Sequence, residues 1–234
     1  SSRISDAFNA SENLPKEGTK QDSLEFSLMK TRLEIYYENI PSNSLRTYKS
    51  RVKDDPADKN IYGLALAHKE NNQYQESIQL IDRLIKSYPK NLVINNTKVD
   101  ILFEFGEYEE ALNLANRFLE ISPRNYPLSI SKAKILLSMD RYFESEEIIR
   151  DQLLRKNSNP ELWFLLSEIQ RSSKNIIGYH QSRAEYYLLL GQNQRALNQL
   201  EFALKLTQNN FQVSESIMTK IIEIKKDINQ SRGL

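Results

Sequence analysis

Apolar residues recur along this 234-residue chain at three- and four-residue spacing over stretches of about 13 residues. Ala111, Leu112, Ala115, Phe118 and Leu119 form one such stripe, opened by Tyr108 after Gly106 and closed by Pro123. That spacing places all five on one face of a helix. The same stripe recurs 34 residues to either side. Tyr74, Tyr108 and Tyr142 keep that step, as do Asn91, Asn125 and Asn159. Ser77, Ala111 and Ser145 hold a small-residue column; Ile81, Ala115 and Ile149, then Ile85, Leu119 and Leu153, follow it. Pro89 and Pro123 also match.

A helix-turn-helix unit of this period, with these columns, resembles the tetratricopeptide (TPR) repeat. The resemblance implies an all-α TPR solenoid of about twelve helices in stacked antiparallel hairpins. Repeats are expected at 58–91, 92–125 and 126–159. The first helix of repeat one carries Ile61, Leu64, Ala65 and His68, and Asn71-Asn72 make its turn. Gly106 and Asp140 stand at the corresponding turns, where a left-handed residue ends the helix.

The flanks depart from this pattern. Residues 1–21 are mostly polar, with Ile4, Phe8 and Leu14 as the only anchors, and read as a linker or loosely held arm. A divergent hairpin follows over 22–55: one helix from an Asp22 or Ser23 cap to about Tyr37, another over about 42–53. After Pro160 the phase is expected to change, giving irregular helices over 160–190. The next strong match, Gly191 with Ala196, Leu200 and Ala203, lies two and a half periods beyond Gly106. Helix 176–190 should therefore serve two pairs, as partner of 160–173 and as first helix of the final pair with 193–207. A last helix, 211–228, offers Val213, Ile217, Ile221, Ile224 and Ile228 as a cap on the array.

Composition narrows the function. Apolar residues make up 39% and charged residues 27%, which suits thin helical layers with a large wet surface. The net charge is +1, with no dense basic block, which argues against nucleic acid as a partner. No apolar run reaches the roughly 18 residues of a membrane span. Cysteine is absent, which excludes disulfide and thiol chemistry and fits a reducing cytosol or a periplasm. Ser1 opens a polar stretch rather than a signal peptide, so a fragment or processed product is expected.

Catalytic chemistry is not expected. His68 and His180 are the only imidazoles, lie far apart, and belong to no His-Glu-x-x-His stretch, so no metal or cofactor site is expected in this chain. His68 occupies a packing position. The acidic groups Asp100/Glu104, Glu109/Glu110 and Glu144 with Glu146-Glu147 fit solvated helix faces. The expected working surface is the concave face lined by first helices. Its candidate partner-binding residues are Tyr62, Leu66 and Lys69; Asn96, Asp100 and Phe103; Ile130 and Lys134; Phe164 and Arg171. Tyr62 and Leu66 stand where a carboxylate clamp would need Lys and Asn. The mixed character of the row suits an extended, partly apolar protein or peptide.

A narrower resemblance extends beyond the repeats. Ser2-Arg3-Ile4-Ser5-Asp6-Ala7, Glu25 to Leu33, Pro160 to Leu166, His180 to Tyr187 and Gly191 to Leu204 resemble the C-terminal TPR arrays of bacterial M48-type zinc metallopeptidases. That resemblance implies a periplasmic protein whose zinc and His-Glu-x-x-His lie in an N-terminal domain outside this chain. It further implies contact with outer-membrane β-barrel proteins or their assembly machinery during quality control. No family catalytic residue has a counterpart here. The rival readings are a freestanding TPR adaptor in secretion or envelope assembly, and a regulatory TPR protein in the cytosol.

Overall fold

The computed structural model describes residues 23–207 and 210–232; residues 1–22, and with them the expected linker, lie outside the description. Twelve helices appear among the described residues: α1 Leu24–Tyr36, α2 Pro41–Asp54, α3 Asp58–Glu70, α4 Tyr74–Ser87, α5 Leu92–Glu104 and α6 Tyr108–Ile121. Then come α7 Tyr126–Ser138, α8 Tyr142–Leu153, α9 Pro160–Ser172, α10 Ile176–Leu189, α11 Asn193–Lys205 and α12 Phe211–Arg232. The fold is all-α. The chain divides into two compact units, one up to Thr97 and one from Lys98.

Each sequence column has a structural cause. The asparagines cap first helices: Asn91 Oδ1 accepts from Ile94 N at 3.1 Å, Asn125 Oδ1 from Leu128 N at 3.1 Å, and Asn159 Oδ1 from Glu161 N at 2.9 Å. Each satisfies a backbone donor that no turn of helix can reach. The small column is fully buried, with Ser77, Ala111 and Ser145 each 0% exposed. Ser77 Oγ donates to Ala65 O at 2.8 Å, and one double step later Ser145 Oγ donates to Ala133 O at 2.7 Å. A larger side chain at either position would push the helices apart.

The turns are equally regular. Asn72, Gly106, Asp140 and Lys174 all have positive φ, at 58°, 87°, 58° and 62°. After each, the next amide reaches back to the last turn of the helix: Gln73 N to His68 O, Glu107 N to Leu102 O, Arg141 N to Leu136 O and Asn175 N to Gln170 O. This pattern closes helix C-termini by capping carbonyls left without intrahelical donors.

Lys174 corrects the sequence reading. The 34-residue step does not change at Pro160, because α9, α10 and the turn between them all keep it. The slip comes half a period after Lys174, at Gly191 (φ 71°), where Gln192 N bonds Tyr187 O in the same way. Two turns of first-to-second-helix type therefore bracket α10. It packs on α9 before it and on α11 after it, the dual role expected for 176–190.

In the unit up to Thr97, α1 and α2 each pack against α3. Ser23 caps α1 by accepting from Phe26 N at 3.3 Å. Glu34 of α1 accepts from Tyr48 Oη at 2.7 Å and from Arg51 Nη1 at 2.8 Å, tying the two helices together. In the unit from Lys98, one core gathers Ala133, Ile149, Leu153, Leu162, Leu166 and Ile169. A second joins Ala184, Leu197 and Leu200 to Ile217, Ile221 and Ile224 of α12. The last helix thus covers α10 and α11 through Ile217, Ile221 and Ile224, with Val213 and Ile228 at the edge.

Candidate partner-binding surfaces

The expected row of first-helix residues is only partly exposed. In the first unit, Tyr62, Leu66 and Asn96 are buried, which corrects their placement on an open face. Every residue of α3 from Asn60 to His68 is buried, so this helix is covered on all sides. Tyr62 Oη lies 2.8 Å from Thr97 Oγ1, which satisfies its polar end inside. Lys69 is half-buried and pairs with Glu70 at 2.9 Å. His68 is buried with its Nδ1 2.5 Å from Gln73 Oε1, the packing role expected for it.

In the second unit, Asp100 accepts from Ser131 Oγ at 2.7 Å, and Phe103 lies against Tyr108 with ring centroids 5.8 Å apart. Ile130 packs on the core cluster. Lys134 is exposed, and Arg171 pairs with Glu168 at 2.5 Å. Phe164 remains 40% exposed. Of the ten residues, it alone is an exposed aromatic.

Phe164 leads to a cluster that the sequence reading missed. The Arg183 guanidinium lies over the Phe164 ring at 4.8 Å and over the Tyr186 and Tyr187 rings at 5.4 Å each. Phe164 and Tyr186 meet edge to face with centroids 5.4 Å apart. Arg183 Nη2 makes one long bond, 3.4 Å to Tyr187 Oη. Its Nη1 is buried without an acceptor among the described residues. Ring quadrupoles compensate part of the charge, but an arginine N–H stripped of water and left unbonded is costly. The signal lay in the spacing, since Tyr186 and Tyr187 follow Arg183 by three and four residues on one helical face.

A second surface is a groove of about 960 Å³ between α8 and α9. Phe143 and Leu154 line it with 82% and 87% of their surface exposed. Trp163 forms part of its wall, with Nε1 donating to Asn157 O at 2.6 Å. Its acids are largely engaged: Glu146 pairs with Arg150 at 2.6 Å and Asp151 with Arg155 at 3.4 Å.

No three His, Asp or Glu side chains converge as metal ligands among the described residues. His180 Nδ1 lies 2.8 Å from Gln199 Oε1, and its ring stacks on Phe202. No described helix is long and apolar enough to cross a membrane.

Two tetratricopeptide-repeat family models match the chain, one over residues 62–126 and one over 102–169. Residues 62–169 are tetratricopeptide repeats. No curated protein sequence matches the chain. Among solved structures, PilW, described as a widely conserved type IV pilus biogenesis factor, is similar at 14% identity with a TM-score of 0.61. The match covers 86% of this chain and 93% of PilW. Pseudomonas aeruginosa pilF aligns at 14% identity and a TM-score of 0.59, covering 86% of this chain and 90% of its own. Residues 41 to the end of MamA from Desulfovibrio magneticus RS-1 align at 11% identity and 0.52, over 73% and 96%. At such identities the likeness is one of fold.

Proposed function

We propose that this chain is a protein-interaction scaffold whose TPR helices hold a partner segment at Phe164, Arg183, Tyr186 and Tyr187. The observation that carries the reading is the unbonded Arg183 Nη1 beneath an exposed aromatic ring. Aromatic and arginine side chains dominate protein interfaces because they combine large contact area with directed polar bonds. A partner that lays an apolar side chain on Phe164 and brings an oxygen acceptor to Arg183 supplies what this site lacks.

Photo-crosslinking tests it. A photoreactive residue at position 164 should trap a protein partner from the native extract, and Arg183→Met should abolish the adduct while helicity is retained. Capture at position 143 instead, or adducts at 164 that survive Arg183→Met, would place the partner elsewhere.

The setting of this scaffold is also proposed. The stretches 2–7, 25–33, 160–166, 180–187 and 191–204 support a role beside an M48-type zinc peptidase in a bacterial periplasm, acting on outer-membrane proteins or their assembly machinery. In that setting zinc belongs to the peptidase domain and not to this array. A freestanding envelope or cytosolic adaptor is the alternative. Mass spectrometry of the natural gene product decides between them: a product that carries a His-Glu-x-x-His domain supports the first, and one without it the second.

A further inference from the structure

The last helix has two apolar faces, and only one is used. Ile217, Ile221 and Ile224 are buried against α10 and α11. A second row runs along the flank: Phe211, Met218 and Ile222, with 78%, 42% and 67% of their surface exposed. Glu215 and Lys225 fall on the same flank, so that 211, 215, 218, 222, 225 and 229 follow the alternating steps of four and three that keep a seam straight. A seam of this kind faces another helix.

The order of charges along the seam says which helix. Met218 and Ile222 lie either side of position 220, and Glu215 and Lys225 lie equally far from it on opposite sides. Turned end for end about 220, the seam matches itself. Met218 meets Ile222, Glu215 meets Lys225, and Phe211 meets Asn229. Each layer occurs twice by symmetry, as an isologous contact requires. A parallel pairing would instead set Glu215 against Glu215 and Lys225 against Lys225, and like charges in facing positions are unfavourable.

We propose that α12 pairs antiparallel with α12 of a second copy of this chain, centred on Met218 and Ile222. The present partner of Lys225 is no obstacle, because its contact with Glu201 is 3.8 Å long and both side chains are half exposed. Such pairs contribute little and exchange readily. A seam from Phe211 to Asn229 is about 27 Å long at about 1.5 Å per residue. That length gives an interface at the small end of specific contacts, and hence a weak, concentration-dependent dimer.

Sedimentation of the whole chain across roughly 1–200 μM tests the pairing, with dissociation expected in the micromolar range for so small an interface. The wild type should dimerise. Glu215→Lys or Lys225→Glu alone should weaken the dimer roughly tenfold or more, and the double reversal should restore it, since it rebuilds both ion pairs. Met218→Lys with Ile222→Lys should leave a monomer of unchanged helicity. A wild-type chain that stays monomeric, with another segment or another protein protecting α12, overturns the proposal. So does a dimer indifferent to these substitutions, or one that the double reversal fails to restore.

Discussion

The ring of Tyr48 lies so close to the α-carbon of Gly63 that a β-carbon there would fall inside the ring's contact distance. The helices α2 and α3 can meet at this point only because one of them carries no side chain. Tyr48 cannot move aside, since its hydroxyl is committed to Glu34. Gly63→Ala should therefore destabilise the first unit by about 1–3 kcal/mol despite alanine's better helix propensity. Chemical denaturation checks it; a stability equal to or above the wild type would show that the ring can give way.

The same tyrosine sits in a pH-sensitive knot. Burial alone would raise the Glu34 carboxyl, but the bonds donated by Arg51 and Tyr48 outweigh it and hold the group below its ordinary 4.5. A carboxyl lowered in the fold stabilises it above the unfolded value, and that contribution disappears as pH falls through the folded value. Burial, then the bond to Glu34, pushes the Tyr48 phenol above its ordinary 10.0. Its contribution is complete below 10.0 and lost as pH rises through the folded value. Glu34→Gln should flatten the acid limb of stability below pH 4.5, because the titrating group is gone. Helicity followed by circular dichroism from pH 6 to pH 2 reads the change; an acid limb identical to the wild type would assign it to other carboxylates.

The small column predicts an asymmetry among repeats. Ser77 and Ser145 bond a carbonyl of the preceding helix, whereas Ala111 occupies the same place with no hydroxyl. Ser145→Ala should cost about 1 kcal/mol, the usual net worth of a buried hydrogen bond. Ala111→Ser should be tolerated, because its hydroxyl would find the Val99 carbonyl placed as the Ala133 carbonyl is for Ser145. Ala111→Leu should cost roughly 1–3 kcal/mol by overpacking. Thermal unfolding of the three variants orders them; a serine variant as damaged as the leucine one would refute the shared geometry.

Lys174 shows where the sequence stopped being readable. Asn72, Gly106 and Asp140 belong to residue types that tolerate the left-handed conformation, so their turns could be placed from residue type and period. Lysine carries no such signal, and position 176 lacks the tyrosine of the earlier second helices. The fourth repeat therefore looked irregular although its backbone is not. Tyr62 marks a different limit. The run from Ile61 to Ala67 has no charged residue, and a helix apolar all round is a buried one. The repeat consensus nevertheless put Tyr62 on an open face. The Arg183 cluster was harder to read, since Phe164 reaches it from another helix and only three-dimensional packing shows that contact.

Because Lys174 holds φ at 62° at a cost that glycine does not bear, Lys174→Gly should stabilise the second unit by about 1 kcal/mol. A β-branched residue suffers more in that conformation, so Lys174→Val should destabilise it. Denaturation midpoints measure both, and a glycine variant less stable than wild type would mean that the lysine side chain contributes more than its backbone costs.

Arg183 should separate stability from binding. Its Nη1 is buried and unbonded, so the folded chain bears a desolvation cost that a partner's acceptor would offset. Replacing a group that carries a buried, unbonded donor by an apolar side chain of similar length relieves that desolvation cost. Arg183→Met keeps the stem packed against Phe164 and Tyr187 and removes only the guanidinium. The fold should therefore hold its melting temperature or gain a few degrees. Partner capture through position 164 should fall roughly tenfold or more, since a buried bond to a charged donor contributes about 1.5–3 kcal/mol. A merely structural arginine predicts the reverse, with melting lowered and capture untouched. Measuring both quantities on the one variant distinguishes the two roles, because no single outcome satisfies both.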